Sequence, residues 1–352
     1  MNLIFLQSCS ADEGMLGQIS LPPGFVIDVF ADVPKARSLA LGDEGTVFVS
    51  NRRGSSIYAV VTNAAGDREV IELAEDLDTP NGIAFFDGDL YVAEIGRVLR
   101  YENIESQLRD VPQAEVLDIE LPSASHHGWR YIGFGPDDLL YISIGAPCNV
   151  CEREGFARID RMRPDGSERE IFATGIRNSV GFTWQEETGD MWFTDNGRDM
   201  LGDDLPPDEL NRATTAGMNF GFPYCHGGFV LDPEYGGGRS CTEFTPPAQR
   251  LGPHVASLGV KFYTGKEFPA EYQGQIFIAE HGSWNRSEKI GYRISLVRLD
   301  KDQVVSYEVF AEGWLQGQSV SGRPVDLLVI EDGSLLVSDD HAGKIYQIRY
   351  EG

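Results

Sequence analysis

A turn followed by a short apolar strand recurs six times along the chain: DEGTVFVSN (43–51), FDGDLYVAE (86–94), GPDDLLYIS (135–143), ETGDMWFTD (187–195), YQGQIFIAE (272–280) and EDGSLLVSD (331–339). Each unit carries Gly or Asp at the turn, then three to five β-favouring residues, and usually ends near an acid. The spacing is about 45–60 residues, apart from one gap of about 85. That is the length of a four-stranded propeller blade. Some units run on into a further strand-like segment, as in RVLRYENI (97–104), SLVRLDKD (295–302) and KIYQIRY (344–350). A sandwich would show shorter spacing and no repeat, and helix-period segments are few. The expected fold is therefore all-β, a six-bladed β-propeller of four-stranded antiparallel blades. It occupies residues 21–352 as one domain behind an N-terminal segment 1–20. The opening strand FVIDVF (25–30) is expected to join the last blade and close the ring.

The long gap holds residues 201–249, rich in Gly, Pro and Asp, which read as extended loops on one face. A rigid ring positions such loops, so they are natural carriers of function. Two of the five cysteines, Cys225 and Cys241, flank its glycine-rich part and are expected to pair. Cys148 and Cys151 form a CxxC with no histidine after it, so it is not a c-type haem site. No further ligands stand at zinc spacing, and a local disulfide or a packed pair is expected. Cys9 lies in MNLIFLQSC, which looks like the tail of a bacterial lipoprotein signal but lacks a basic n-region. Either Cys9 is a lipidated residue, placing the protein in the periplasm or on the outer surface, or the match is chance. The net charge of −26 argues against nucleic acid and against anionic membrane surfaces. No apolar run approaches the length of a membrane span.

Four clusters could carry chemistry. His126 and His127, two of only six histidines, stand together at the entrance to a turn-strand unit. A neutral imidazole there is the commonest general base, while two imidazoles bonded to backbone are the plain alternative. Arg177 and Asn178 precede an apolar strand, where a planar donor fork beside an amide suits an anionic or quinoid ligand. The segment 194–211 brings Asp195, Asp199, Asp203, Asp204, Asp208 and Glu209, an oxygen density that suits Ca²⁺, although the spacing is not that of an EF-hand. Finally, His281, Arg323 and Arg52 lie near blade turns in the same relation as His127 and Arg177. Polar residues at equivalent blade positions converge on one axis.

Taken together, these segments resemble the soluble pyrroloquinoline-quinone (PQQ)-dependent sugar dehydrogenases, in the branch of the sorbosone and aldose sugar dehydrogenases. The resemblance runs from about 21–33 to 344–350. Its most specific pieces are HHGWRYIGFGPDDLLYISIG, ATGIRNSVGF, DELNRATTAGMNFGFPYCHGG, IFIAEHGSWNR and GRPVDLLV. It implies a six-bladed propeller with PQQ over the central channel. In the family a histidine eight residues before the Gly of the Gly-Pro-Asp turn acts as base, and Gly135 makes that residue His127, with His126 in support. The resemblance further implies Arg177 and Asn178 as the Arg-Asn pair at the cofactor. Arg323 and Arg52 become cofactor contacts, and His281 stands near a position that is lysine in the glucose-oxidising members. Calcium is then held partly by carbonyls in the segment of Asn196, Gly197 and Arg198, with Asp208 and Glu209 as the later acids.

The expected activity is oxidation of a sugar or polyol hydroxyl, or of a sugar aldehyde. His127 takes the proton, a hydride passes to PQQ, and Ca²⁺ and Arg177 stabilise charge on the quinone oxygen. The sugar, and the electron acceptor that follows, a quinone or a cytochrome, are not readable from the sequence. Two alternatives stand beside this reading. One is a propeller that binds a glycan or a protein without redox activity. The other is a calcium-dependent lactonase-like propeller, which would bring carboxylates rather than arginines to the axis.

Overall fold

The structure, a computed structural model, describes residues 14–352; Cys9 and its lipoprotein-like setting lie outside them. Six four-stranded antiparallel sheets form the propeller. Blade 1 holds Ala36–Leu41, Val47–Asn51, Ile57–Thr62 and Arg68–Ala74; blade 2 holds Gly82–Phe86, Asp89–Ala93, Val98–Tyr101 and Glu115–Val116. Blade 3 holds Ile132–Phe134, Leu140–Ile144, Arg158–Met162 and Glu170–Thr174; blade 4 holds Phe182–Trp184, Met191–Asp195, Pro207–Ala213 and Gln249–Pro253. Blade 5 holds Ser257–Phe262, Ile276–Glu280, Arg293–Asp300 and Gln303–Glu312. In blade 6, Pro324–Val329, Leu335–Asp339 and Lys344–Tyr350 are completed by the N-terminal strand Phe25–Asp32, which pairs from Phe25↔Tyr350 to Asp32↔Lys344. The first and last strands of the chain thus close the ring, as the sequence predicts. Phe25 fixes the joint by packing edge-on against Phe268, Tyr272 and Phe310 at 4.7, 5.2 and 5.1 Å.

The repeat found in the sequence is the turn between the first and second strands of each blade together with the second strand. These second strands are buried end to end, for example Val47–Asn51, Leu140–Ile144 and Leu335–Asp339, because each is covered by a neighbouring blade on both faces. Their uninterrupted apolar character follows from that double burial. First strands line the channel, and Tyr131, just ahead of blade 3, packs on Phe182 of blade 4 at 4.8 Å.

One consequence of the topology places the site. In every blade the first strand is antiparallel to the second. Residues entering the first strand and residues leaving the second therefore meet at one end of the ring. The acid that closes many of the repeats ties these two segments together. Glu94 accepts the backbone N–H of Asp78, Asp195 accepts those of Arg177 and Asn178, and Asp339 accepts those of Arg323, His341 and Ala342.

The segment 201–249 differs from the expected loop. Pro207–Ala213 is the third strand of blade 4 and is mostly buried. Its sequence, PDELNRA, hides this because buried polar side chains bond within the protein rather than to solvent, such as Asn211 Nδ2 donating to Glu209 Oε2 at 2.9 Å. Beyond it, Met218–Asn219 adds a short parallel strand to the edge of blade 3. Both expected disulfides are present, Cys225–Cys241 and Cys148–Cys151, with Cα separations of 5.4 and 6.1 Å. Among the described residues no helix is long and apolar enough to cross a membrane.

Candidate active site

The loops at that end of the ring enclose a cavity of about 340 Å³, a size typical of small-molecule sites. His127, Arg177, Asn178, Arg52, His281, Arg323, Gly197 and Asp208 all line it. Arg198 and Glu209 do not. The Arg198 guanidinium turns away to Asp232 and Glu234. Glu209 faces a separate void of about 10 Å³, where its carboxylate accepts from Gly227 N at 2.6 Å and from Asn211. Of the residues assigned to a metal from the sequence, Asn196, Gly197, Asp199 and Asp208 line the cavity. Among the described residues, no three His, Cys, Asp or Glu side chains converge as a metal site.

His127 is buried and held in one tautomer. Its Nδ1 lies 2.8 Å from the carbonyl oxygen of Ala146. A carbonyl can only accept, so Nδ1 carries the proton and Nε2 keeps its lone pair. The backbone of His127 has φ +49°, a left-handed conformation uncommon outside glycine. The loop can adopt it against blade 3 because residue 145 is glycine: a Cβ there would come within 2.7 Å of His127 Cβ. Burial, and after it the charge of Arg177, holds the imidazole well below its usual range near 6.5. A base with a lowered pKa stays unprotonated as pH falls, until that pKa is reached. The acid limb of kcat/KM for any reaction using His127 is accordingly expected well below pH 6.5; a limb centred at or above 6.5 in a pH–rate profile would contradict this assignment. His126 is exposed, with its ring 4.1 Å from that of His127.

Arg177 is 3% exposed and already heavily engaged. Its Nε donates to Asn149 O, Nη1 to Asn196 O, and Nη2 to both Asn149 Oδ1 and Asp199 Oδ2, all within 2.9–3.1 Å. Four of the five guanidinium N–H groups are thus used within the protein. Asn178 has its main chain fixed by Asp195, and its side chain is left to the cavity.

Opposite these, Arg52 lies over the Trp129 ring, with its guanidinium carbon 3.6 Å from the ring centroid. Burial, and next to it the charge of Arg37, pulls Arg52 down to about 9, so it remains a cation at neutral pH. Arg323 donates to the carbonyls of His281 and Gly282 at 3.0 and 2.8 Å. His281 bonds Asp340 through Nε2 at 2.8 Å, and burial lowers its pKa to about 4, which makes it a neutral donor to an ionised acid. Asp340 also pairs with Arg37 at 2.9 Å.

Arg37, Arg53 and His254 also line the cavity, and no sequence pattern marks them. Arg37 sits where the pairing register slips between Ala36 and Leu39, and similar slips occur at the start of blades 5 and 6. Such an irregularity re-aims a side chain without leaving a pattern in the sequence. His254 has φ +62°, and its Nε2 donates to the carbonyls of Gly202 and Leu205 at 2.9 and 3.0 Å.

Known proteins match this chain in family, in sequence and in fold. Residues 94–347 match the family model of the glucose/sorbosone dehydrogenases. An uncharacterized protein of Borreliella burgdorferi is 34% identical over 97% of this chain and 93% of its own length. Among solved structures, the holo PQQ domain of pyranose dehydrogenase from Coprinopsis cinerea superposes with a TM-score of 0.79 at 18% identity, covering 94% of this chain and 97% of that one. The calcium structure of a carbohydrate-active enzyme of family AA12 from Trichoderma reesei gives 0.82 at 19% identity over the same shares. At such identities the two structures establish likeness of fold.

Proposed function

The chain belongs to the glucose/sorbosone dehydrogenase family, and from that membership we propose that it oxidises a sugar, a polyol or a sugar aldehyde with PQQ as electron acceptor and Ca²⁺ beside it. Membership makes it a sugar-dehydrogenase-like oxidoreductase; the cofactor, the metal and the residue roles are supported by the chemistry of the cavity. The observation that carries the reading is charge. In a chain of net charge −26, the cavity collects Arg37, Arg52, Arg53, Arg177 and Arg323 against Asp199 and Asp208. PQQ is a flat tricarboxylate, and a cationic cavity with Trp129 and the Arg52 plane in its wall suits it. A lactonase-like site would need the opposite sign.

When bound, PQQ supplies a two-electron acceptor that none of the side chains offers. Arg52 and Arg323 would hold its carboxylates, Arg52 being free of any carboxylate partner among the described residues. His127 Nε2 would take the hydroxyl proton while Ala146 O holds Nδ1–H and so stabilises the imidazolium that forms. For Ca²⁺, the carbonyl oxygens at Asn196 and Gly197 and the Asp208 carboxylate are hard donors of the right kind. Burial raises Asp208 to about 7 although Gly197 N and Ser257 N donate to its carboxylate, and a bound cation would favour the ionised form. The two disulfides agree with an oxidising compartment such as the periplasm.

The test is reconstitution of cofactor-free protein with PQQ and Ca²⁺, followed by a screen of aldoses, polyols and sugar aldehydes with an artificial dye. Dye reduction that requires both additions is expected. Arg52→Ala should weaken PQQ binding by about ten- to a hundredfold, the worth of a hydrogen bond to a charged group, and leave kcat nearly unchanged. Unaltered affinity in that variant would remove Arg52 from the cofactor site.

A further inference from the structure

The segment Ala146–Cys151 leaves the second strand of blade 3 and touches both halves of the site. At its start, Ala146 O accepts from His127 Nδ1 at 2.8 Å, and Ala146 N donates to Arg177 O at 2.7 Å. Three residues on, Asn149 contacts Arg177 twice, through its carbonyl oxygen to Nε and through Oδ1 to Nη2, each at 2.9 Å. The same amide binds the backbone of Asp199 in both directions: Oδ1 accepts from Asp199 N at 2.9 Å and Nδ2 donates to Asp199 O at 3.0 Å. Asp199 in turn pairs with Arg177 at 2.9 Å. Asn149 lies between the bridged Cys148 and Cys151, and the whole loop is half-buried.

We propose that Asn149 is a positioning residue for this site, and that the Cys148–Cys151 bridge serves to hold it against Arg177 and Asp199. The chemistry singles out asparagine. A neutral amide of this length offers an acceptor to Arg177 and both an acceptor and a donor to Asp199. Aspartate would lose the donor, and alanine would lose all three side-chain bonds. A four-residue loop of irregular backbone has few contacts of its own to stay in place. A covalent closure at its two ends removes the alternative conformers from which Asn149 would otherwise have to be recovered at each binding event. Arg177, fixed in this way, keeps its charge beside His127. The charged or titratable groups acting on His127 are Arg177, His126 and Arg52, and Arg177 has the largest effect of the three.

This rests on reading the cavity as a cofactor site, and the experiment separates the two. First, the His127 pKa is measured by NMR in cofactor-free wild type, Asn149→Ala, Cys148→Ser/Cys151→Ser and the triple variant, each shown to be folded by its thermal transition. The His127 pKa is expected to rise in all three variants, because Arg177 is released from its place beside the imidazole, and the triple variant should match Asn149→Ala. Second, PQQ is titrated into each. Affinity should fall about tenfold or more in Asn149→Ala, as for one lost charge-assisted hydrogen bond, with a similar fall in the double serine variant. If Asn149→Ala leaves both the His127 pKa and the affinity unchanged, the proposal is overturned. If the serine variant adds its full effect on top of Asn149→Ala, the bridge does not act through Asn149 and that half is overturned. If wild type binds no PQQ, the cofactor reading fails, while the NMR comparison still decides the role of Asn149.

Discussion

His127→Ala is expected to lower turnover by about two to four orders of magnitude, the usual worth of general base catalysis. PQQ affinity should barely change, because the arginines around the cavity carry the cofactor's charge. The structural reason for expecting a selective loss is the fixed tautomer. The Ala146 carbonyl takes Nδ1–H, so Nε2 is the basic nitrogen on a ring that lines the cavity, and burial keeps it unprotonated at neutral pH. His126, exposed and with its ring tilted against that of His127 at 4.1 Å, should matter far less to the chemical step. Steady-state kinetics at saturating PQQ decide the matter. Near-normal turnover in His127→Ala, with turnover abolished in His126→Ala, would move the base to the neighbouring residue.

Arg177→Ala is expected to destabilise the fold by about 3–5 kcal/mol, the cost of breaking a buried ion pair by removing one partner. The substitution leaves Asp199 without its cation and strips partners from Asn149 O, Asn149 Oδ1 and Asn196 O. From sequence alone, Arg177 is a residue that meets the quinone oxygen. With four of its N–H groups already committed, at most one remains for a ligand, and its larger duty is to hold loops of blades 3 and 4 together. Denaturant unfolding of the cofactor-free variant measures this directly. A midpoint equal to wild type would show that the buried network is redundant and that Arg177 serves the ligand alone.

The blade repeat is legible because each second strand is covered on both faces, so the apolar run recurs with the blade. Ring closure by Phe25–Asp32 is legible as a strand-like run ahead of the first repeat, although this outer strand of blade 6 is only partly buried. The third strand of blade 4 is not legible, since Asp208, Glu209 and Asn211 bury polar side chains that bond to Gly197 N, Gly227 N and one another. In the candidate site, His127, Arg177, Asn178, His281 and Arg323 stand out by their places beside blade strands and by the family resemblance, and all five line the cavity. Arg37 escapes because a slip in strand register turns it inward. Asn149 escapes because nothing in CNVC distinguishes a loop that merely turns from one that grips an arginine. Asp195 and Asp339 are visible as the acids that end the repeats, but their work, binding the main chain of the incoming loop, depends on the antiparallel pairing that brings the two ends together.

Whether the arginine-rich end of the ring binds PQQ is decided by an equilibrium titration of PQQ, with Ca²⁺ present, into cofactor-free protein. Trp129 lines the cavity beneath Arg52, so its fluorescence should report occupancy. Saturable binding of one PQQ per chain is expected, with quenching reduced in Trp129→Phe and weaker binding in Arg52→Ala. Absence of saturable binding in wild type would contradict the cofactor reading and would leave a propeller that binds a glycan or a protein in its place.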